Sequence, residues 1–248
     1  ANDITFRHNI ISEGLHSPKH HKGGHSRGLL IMRPGSRRVS VIGNLFAHNM
    51  TRNPTVAAGQ AVVVNNLIDQ VNVALKTNCV ARSGQGPVLY SAMHNVIKRA
   101  NSAFVARAKH PETRFYFAPN NMFKGKRFES VEAIWDQYVS MPFAPGVAEQ
   151  CRATKPPITL PGYEPRPVEQ VEAWVLANAG ARPGERGPVD ARVIKQVRTG
   201  SGDILKSQKE VGGWPELEQN RRELTIPANP SGDDDGDGYT NLEEWLHQ

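Results

Sequence analysis

VSVIGNLF, residues 39–46, decides the reading of the fold, because the same phrase returns along the chain. Superimposed on its asparagine, Asn44, are ITFRHNII on Asn9, AVVVNNLI on Asn66, YSAMHNVI on Asn95 and FAPNNMF on Asn121, at steps of 35, 22, 29 and 26 residues. Each copy is short, apolar or alternating, rich in Val, Ile and Phe, and followed by a polar loop of variable length, which reads as one strand per step. Recurrence of one unit at this spacing marks a repeat architecture. Asparagines in register can form a side-chain ladder that also bonds the neighbouring backbone. The expected class is all-β: a right-handed parallel β-helix (solenoid) with short C-terminal helices and a calcium-loop tail. An antiparallel sandwich is the alternative, opposed by the lack of Asn-Gly or Asp-Gly turns between copies.

After Gly125 the period changes. RFESVEAIWDQYVSM sets Phe128, Val131, Ile134, Trp135 and Tyr138 on one helical face. The Pro-rich run GVAEQCRATKPPITLPGYEPRP predicts an extended tether. PVEQVEAWVLANAG and VDARVIKQVRTG predict two short helices, the first opening near Pro167 and ending at Gly180, the second ending at Gly200. The expected organisation is therefore repeat strands over 1–125, packing helices and extended segments over 126–220, and a calcium-binding tail over 221–248.

Composition narrows the class. The 248 residues can bury a sizeable core, and 38% hydrophobic with 22% charged is ordinary for a globular protein. Two cysteines, Cys79 and Cys151, exclude a disulfide framework and leave a single bridge open. No apolar run approaches the roughly 18 residues of a membrane span. The sequence shows no signal peptide, yet it starts at Ala1 without methionine, which leaves removal of a leader or of a longer N-terminal part open, and with it the compartment. Residues 230–248 hold six acids and neither Lys nor Arg, leaving 30 basic against 18 acidic side chains, a net +12, elsewhere. Such a body favours a polyanion, either nucleic acid or acidic polysaccharide, or is simply a basic surface. The nucleic-acid reading lacks interleaved aromatics near the basic loop, Phe46 being the closest.

The strongest local motif is DDDGDGYTNLEE. Asp233, Asp235 and Asp237 take positions one, three and five of an EF-hand-like loop, Gly238 the tight turn, Tyr239 the backbone-carbonyl position, Asn241 position nine and Glu244 the bidentate position twelve. Calcium needs converging oxygen ligands, and this spacing supplies them. The alternative is a solvated acidic tail, which would not need the glycine and glutamate in register.

Two basic features lie in the N-terminal part. GLHSPKHHKGGHSRGLLI carries His16, His20, His21 and His25 with Lys19, Lys22 and Arg27, and suits a loop facing an anionic ligand, a solvated loop or, less well, zinc. The second feature is Arg52, leaving VSVIGNLF just before Asn53-Pro54. Arg27 leads into LLIM, so the two arginines are expected side by side, a pair that suits a carboxylate through bidentate contacts.

SRGLLI, VSVIGNLFAHNMTRNP and VVNNLI, followed by GGWPEL at residues 212–217 and the acidic loop, resemble the parallel β-helix pectate lyases, bacterial members with such a tail in particular. The resemblance covers about residues 1–73 and 180–248. It implies a secreted or periplasmic lyase that cleaves polygalacturonate or a related uronan by calcium-assisted β-elimination, with Ca2+ as cofactor, acidic polysaccharide as partner, and neither nucleic acid nor a membrane span. Arg52 falls on the catalytic arginine, Arg27 on the substrate-binding lysine, with Lys22 and His25 as neighbouring contacts. Calcium on the carboxylate would acidify the α-proton. An arginine base is chemically awkward, since its pKa exceeds about 12. The pattern departs at Ala57, where the family carries a second arginine. It departs again in the catalytic-calcium carboxylates, which the family places on earlier coils, whereas Asp3 and Glu13 are the only acids here before Asp69. Two expectations follow: a C-terminal part of a longer lyase, or a relative without that site. A non-catalytic glycan-binding module is the alternative function.

Overall fold

The structure is a computed structural model that describes residues 2–17, 21, 23–33, 35–77, 86–107, 110–140, 150–216 and 225–247. The chain forms two compact units, Ala1–Gly213 and Trp214–Gln248. Strands of the larger unit arrive in rounds. The first round is β1 (Thr5–Arg7), β2 (Ile10–Ser12) and β3 (Leu30–Ile31); the second is β4 (Val39–Ile42), β5 (Leu45–Ala47) and β6 (Thr55–Val56). Next come β7 (Gly59–Val64), β8 (Leu67–Asp69) and β9 (Val71–Thr77), then β10 (Val88–Met93), β11 (Val96–Ile97) and β12 (Ala100–Val105). The run ends with β13 (Arg114–Phe117), β14 (Met122–Phe123), β15 (Lys126–Arg127) and β16 (Val139–Ser140).

Among the described residues these strands make three sheets, ordered β1-β4-β7-β10-β13, β15-β14-β11-β8-β5-β2 and β16-β12-β9-β6-β3. All pairs are parallel except β14 with β15. Strands as short as these cannot hold a sheet alone; each is fixed by neighbours of the next round and by the apolar side chains beneath it. Val41, Phe46, Val63, Ile68, Tyr90, Phe104 and Phe117 belong to the main core, and the Phe104 and Phe117 rings stack with centroids 4.5 Å apart.

The five superimposed asparagines do form a ladder. Nδ2 of Asn9 donates to Oδ1 of Asn44 at 2.8 Å, Asn44 to Asn66 at 3.0 Å, Asn66 to Asn95 at 2.9 Å and Asn95 to Asn121 at 2.9 Å. Each accepting oxygen also receives the backbone N–H of the preceding asparagine. Asn44, Asn66, Asn95 and Asn121 are fully buried, and their amides reach carbonyls of the preceding round, such as Val41 from Asn66 at 2.9 Å. The four buried asparagine side chains of this column thereby find partners, as low-dielectric surroundings demand.

The expected class is corrected. Among the described residues the three sheets are open, none closes or curls on itself, and four α-helices accompany them, so the arrangement is mixed α and β rather than an all-β parallel β-helix. The helices are α1 (Val131–Gln137), α2 (Val168–Asn178), α3 (Pro188–Thr199) and α4 (Asn241–Leu246). The physical reason lies in the second core cluster. There Val168, Val171, Val175 and Leu176 of α2 and Val193, Ile194 and Val197 of α3 bury themselves with Leu45, Leu67 and Val96. Helices that supply most of a core are part of the class, not an appendage. The helix ends follow the local rules: Ser130 caps α1 by accepting from Ala133, α2 begins directly after Pro167, and α3 stops at Gly200 in the left-handed region at φ 67°. Gly43, at φ 63°, lets α2 approach, since a Cβ there would stand 2.7 Å from the Trp174 ring.

Cys151 is buried, and Cys79 lies outside the described residues. Among the described residues no helix is long and apolar enough to cross a membrane.

Candidate functional site

The third sheet gathers the cations. Arg27, just before β3, pairs with Thr51 through a parallel bridge, and the backbones of Gly28 and Leu29 donate to Thr51 and Arg52 at 3.0 and 2.7 Å. Arg27 and Arg52 therefore lie on adjacent runs of chain. Arg52 sits at φ 69°, a left-handed conformation that costs a non-glycine residue roughly 1 kcal/mol. The backbone bond to Leu29 helps hold it there, as does the next residue, Asn53, whose Nδ2 donates to the Val73 carbonyl at 3.0 Å.

One round further, Lys76 of β9 stands opposite Thr55, with its N–H on the Pro54 carbonyl at 3.2 Å. Another round on, the backbone N–H of Arg107 bonds the Thr77 carbonyl at 3.2 Å. Arg27, Arg52, Lys76 and Arg107 thus come from four successive runs. Burial, followed by the charges of Arg107, Arg27 and Arg52, holds the Lys76 ammonium below its usual range. Burial and then Arg52 lower Arg27 in the same way. Among the described residues no ion pair includes Arg27, Arg52 or Lys76, while carboxylates elsewhere are paired with Arg38, Lys98, Arg99, Arg127, Arg152 and Arg192. Arg27 and Lys76 thus lie among like charges that oppose their own.

The sequence reading set Arg27 and Arg52 side by side; the structure puts them on adjacent runs, with Arg27 bridged to Thr51. His25 is partly buried two residues before Arg27, and Lys22 lies outside the described residues. Lys76 and Arg107 were missed. Their signal was the repeat itself, since Lys76 follows Arg52 by 24 residues and Arg107 follows Lys76 by 31, close to the asparagine steps of 22 and 29 over the same runs.

In the smaller unit, ligand oxygens of Asp233, Asp235 and Asp237 converge within 4.8 Å of one another, a group that could hold a metal ion. Oδ1 of Asp233 accepts from the backbone of Gly236 and Asp237 at 2.7 and 3.1 Å, and Oδ2 from Gly238 at 3.0 Å, so the loop is wound around its first carboxylate. Gly236 and Gly238, at φ 77° and 95°, allow that winding. The field of Asp235, then of Asp237, Asp233 and Asp234, keeps the Glu244 carboxyl above its usual range, which places it electrostatically with the three aspartates. Tyr239 donates its backbone N–H to Asp237 and exposes its ring. Asn241 is buried, accepting from the Asp234 N–H at 3.1 Å and donating to the Asn229 carbonyl at 2.8 Å, so its side chain braces the loop. The hard-oxygen donor set fits calcium. Around Arg52 the donors do not fit a second calcium: the residues brought together there are cations, and among the described residues the only group of three or more potential ligands is the aspartate loop.

No protein-family model matches the chain, and no curated protein matches it.

Proposed function

We propose that this protein acts on an acidic polysaccharide, a uronan such as polygalacturonate, whose carboxylates seat on the Arg27, Arg52, Lys76 and Arg107 cluster, and that it cleaves the chain by β-elimination as the pectate lyases it resembles do. The observation that supports the reading is the gathering of these cations on four successive runs: Arg27 and Arg52 lie on adjacent runs, Lys76 stands opposite Thr55, three residues beyond Arg52, and Arg107 follows on the next run. Neighbouring strands lie about 4.8 Å apart, so the cluster offers a patch of positive charge to a regularly charged linear polymer. Arg27 and Arg52 supply the forked donors that fit a carboxylate, and neutralising it is the main electrostatic requirement for removing the proton beside it. The Asp233, Asp235, Asp237 and Glu244 loop takes Ca2+ in a structural role. A polymeric substrate of this kind goes with secretion or a periplasmic location.

A second reading, glycan binding without cleavage, is favoured by the absence of a calcium-fitting group around Arg52 among the described residues. One experiment separates them. Purified protein is mixed with polygalacturonate and calcium while the ultraviolet absorbance of unsaturated uronate is followed and binding is measured by calorimetry. Absorbance that rises in the wild type and not in Arg52→Ala supports the lyase. Binding without absorbance supports the second reading, and neither would remove both.

A further inference from the structure

We propose that Lys76 is the proton acceptor of this elimination, with Arg27 and Arg52 holding the carboxylate; the inference rests on the lyase reading above. Geometry carries it. Lys76 lies in β9 between β6 and β12, opposite Thr55 on one side and Val105 on the other, so its backbone is fixed by parallel pairing on both flanks. It is half-buried, and its N–H bonds the carbonyl of Pro54, two residues after Arg52. The lysine is thus bracketed by the run that carries Arg52 and the run that leads to Arg107.

Chemistry then divides the labour. A guanidinium keeps its proton below about pH 12, so an arginine suits a permanent carboxylate clamp and makes a poor base. A primary amine can be freed of its proton, the more readily when burial and three neighbouring guanidinium groups, those of Arg107, Arg27 and Arg52, oppose its charge. Substrate entry brings a carboxylate that works against this depression. The clamp by Arg27 and Arg52 counters it, because the charge the carboxylate adds is spent on fixed guanidinium donors.

The step balances as follows. The amine lone pair of Lys76 Nζ takes the proton from the carbon that bears the carboxylate. The C–H electron pair becomes the new double bond to the adjacent carbon, and the bond from that carbon to the glycosidic oxygen breaks. The leaving oxygen takes a proton from water, and the Lys76 ammonium returns its proton to solvent. No oxidant, reductant or net water is needed.

The test compares wild type with Lys76→Arg and Lys76→Met on polygalacturonate across pH, reading kcat and KM separately. General-base removal is worth roughly 10²–10⁴ in rate. Both variants are expected to lose at least about a hundredfold in kcat with KM changed by about threefold or less. Lys76→Arg is decisive, since it preserves charge without a usable base: a variant within about threefold of wild-type kcat overturns the proposal and returns the proton to Arg52. Independently of turnover, the Lys76 side-chain NMR signal, assigned by its loss in Lys76→Arg, is expected to titrate below the ordinary 10.5 and to match the rise of kcat/KM with pH. Titration at or above the ordinary value overturns the proposal. A wild type that binds the polymer but releases no unsaturated uronate defeats the lyase reading and the base together, whereas an active wild type with an active Lys76→Arg defeats the base alone.

Discussion

Arg192 of α3 meets Glu13 across 179 residues of sequence, Nη1 to Oε1 at 2.5 Å and Nη2 to Oε2 at 2.8 Å. The pair ties a helix to the chain just after β2, and His48 stands 3.8 Å from the same carboxylate. Burial acts to raise the Glu13 pKa, but the paired hydrogen bonds and charge of Arg192, with His48 nearby, prevail and bring it to about 2. A depressed carboxyl stabilises the fold above its unfolded value near 4.5, and that contribution is lost as pH falls from there towards 2. Arg192→Leu is expected to cost about 1–3 kcal/mol at neutral pH, between exposed and buried pairs, and to flatten the acid limb. Urea unfolding at several pH values measures both; an unchanged acid limb would sink this account.

Arg99 is a second clasp. Its Nε and Nη2 bond both oxygens of the fully buried Asp69 at 2.9 and 2.6 Å, and Nη1 and Nη2 reach the carbonyls of Gly200 and Ser201 at 2.6 and 2.7 Å. Arg99→Ala strands a buried carboxylate and is expected to cost about 3 kcal/mol. Lysine cannot reproduce the fork, so Arg99→Lys should recover less than half of the loss in denaturant midpoint.

The asparagine ladder predicts a positional gradient. Asn66 both donates and accepts within the column and is fully buried, whereas Asn9 stands at one end and is exposed. Asn66→Ala is expected to cost about 3 kcal/mol, the sum of several unsatisfied partners, and Asn9→Ala about 1 kcal/mol. Equal losses in urea melts would contradict the ladder as a stabilising device.

Calcium should bind the Asp233–Glu244 loop, and Glu244→Gln should weaken it by about tenfold or more as a charged oxygen ligand is removed. Because the aspartates hold Glu244 above its usual range, it keeps its proton to higher pH than an isolated glutamate. Protons compete with the cation, so affinity must rise with pH through the carboxylate range. Calorimetric titration at two pH values checks the sign, and affinity that is flat with pH would refute the role of Glu244.

Local rules carried much of this chain. The positions of Asn9, Asn44, Asn66, Asn95 and Asn121, the helix limits at Pro167 and Gly200 and the aspartate loop all depend on residues a few positions apart or on one recurring phrase. The adjacency of Arg27 and Arg52 followed from that phrase as well. The class was misread because the apolar faces of α2 and α3 show that they pack, not how much of the core they supply with Leu45, Leu67 and Val96. Glu13 with Arg192 and Asp69 with Arg99 leave no local trace, since charge pairs across such separations are set by the folded path alone.

The asparagine column also has a direction. In every rung the amide nitrogen of the earlier asparagine points to the oxygen of the later one, so the side-chain dipoles line up head to tail from Asn9 to Asn121. Steps of 35, 22, 29 and 26 residues are joined by bonds of nearly one length. The column therefore works as a ruler: it sets the spacing from one strand to the next and leaves the length of chain between rungs free to change. New loops can be acquired between the rungs without disturbing the spacing of the strands that the column joins.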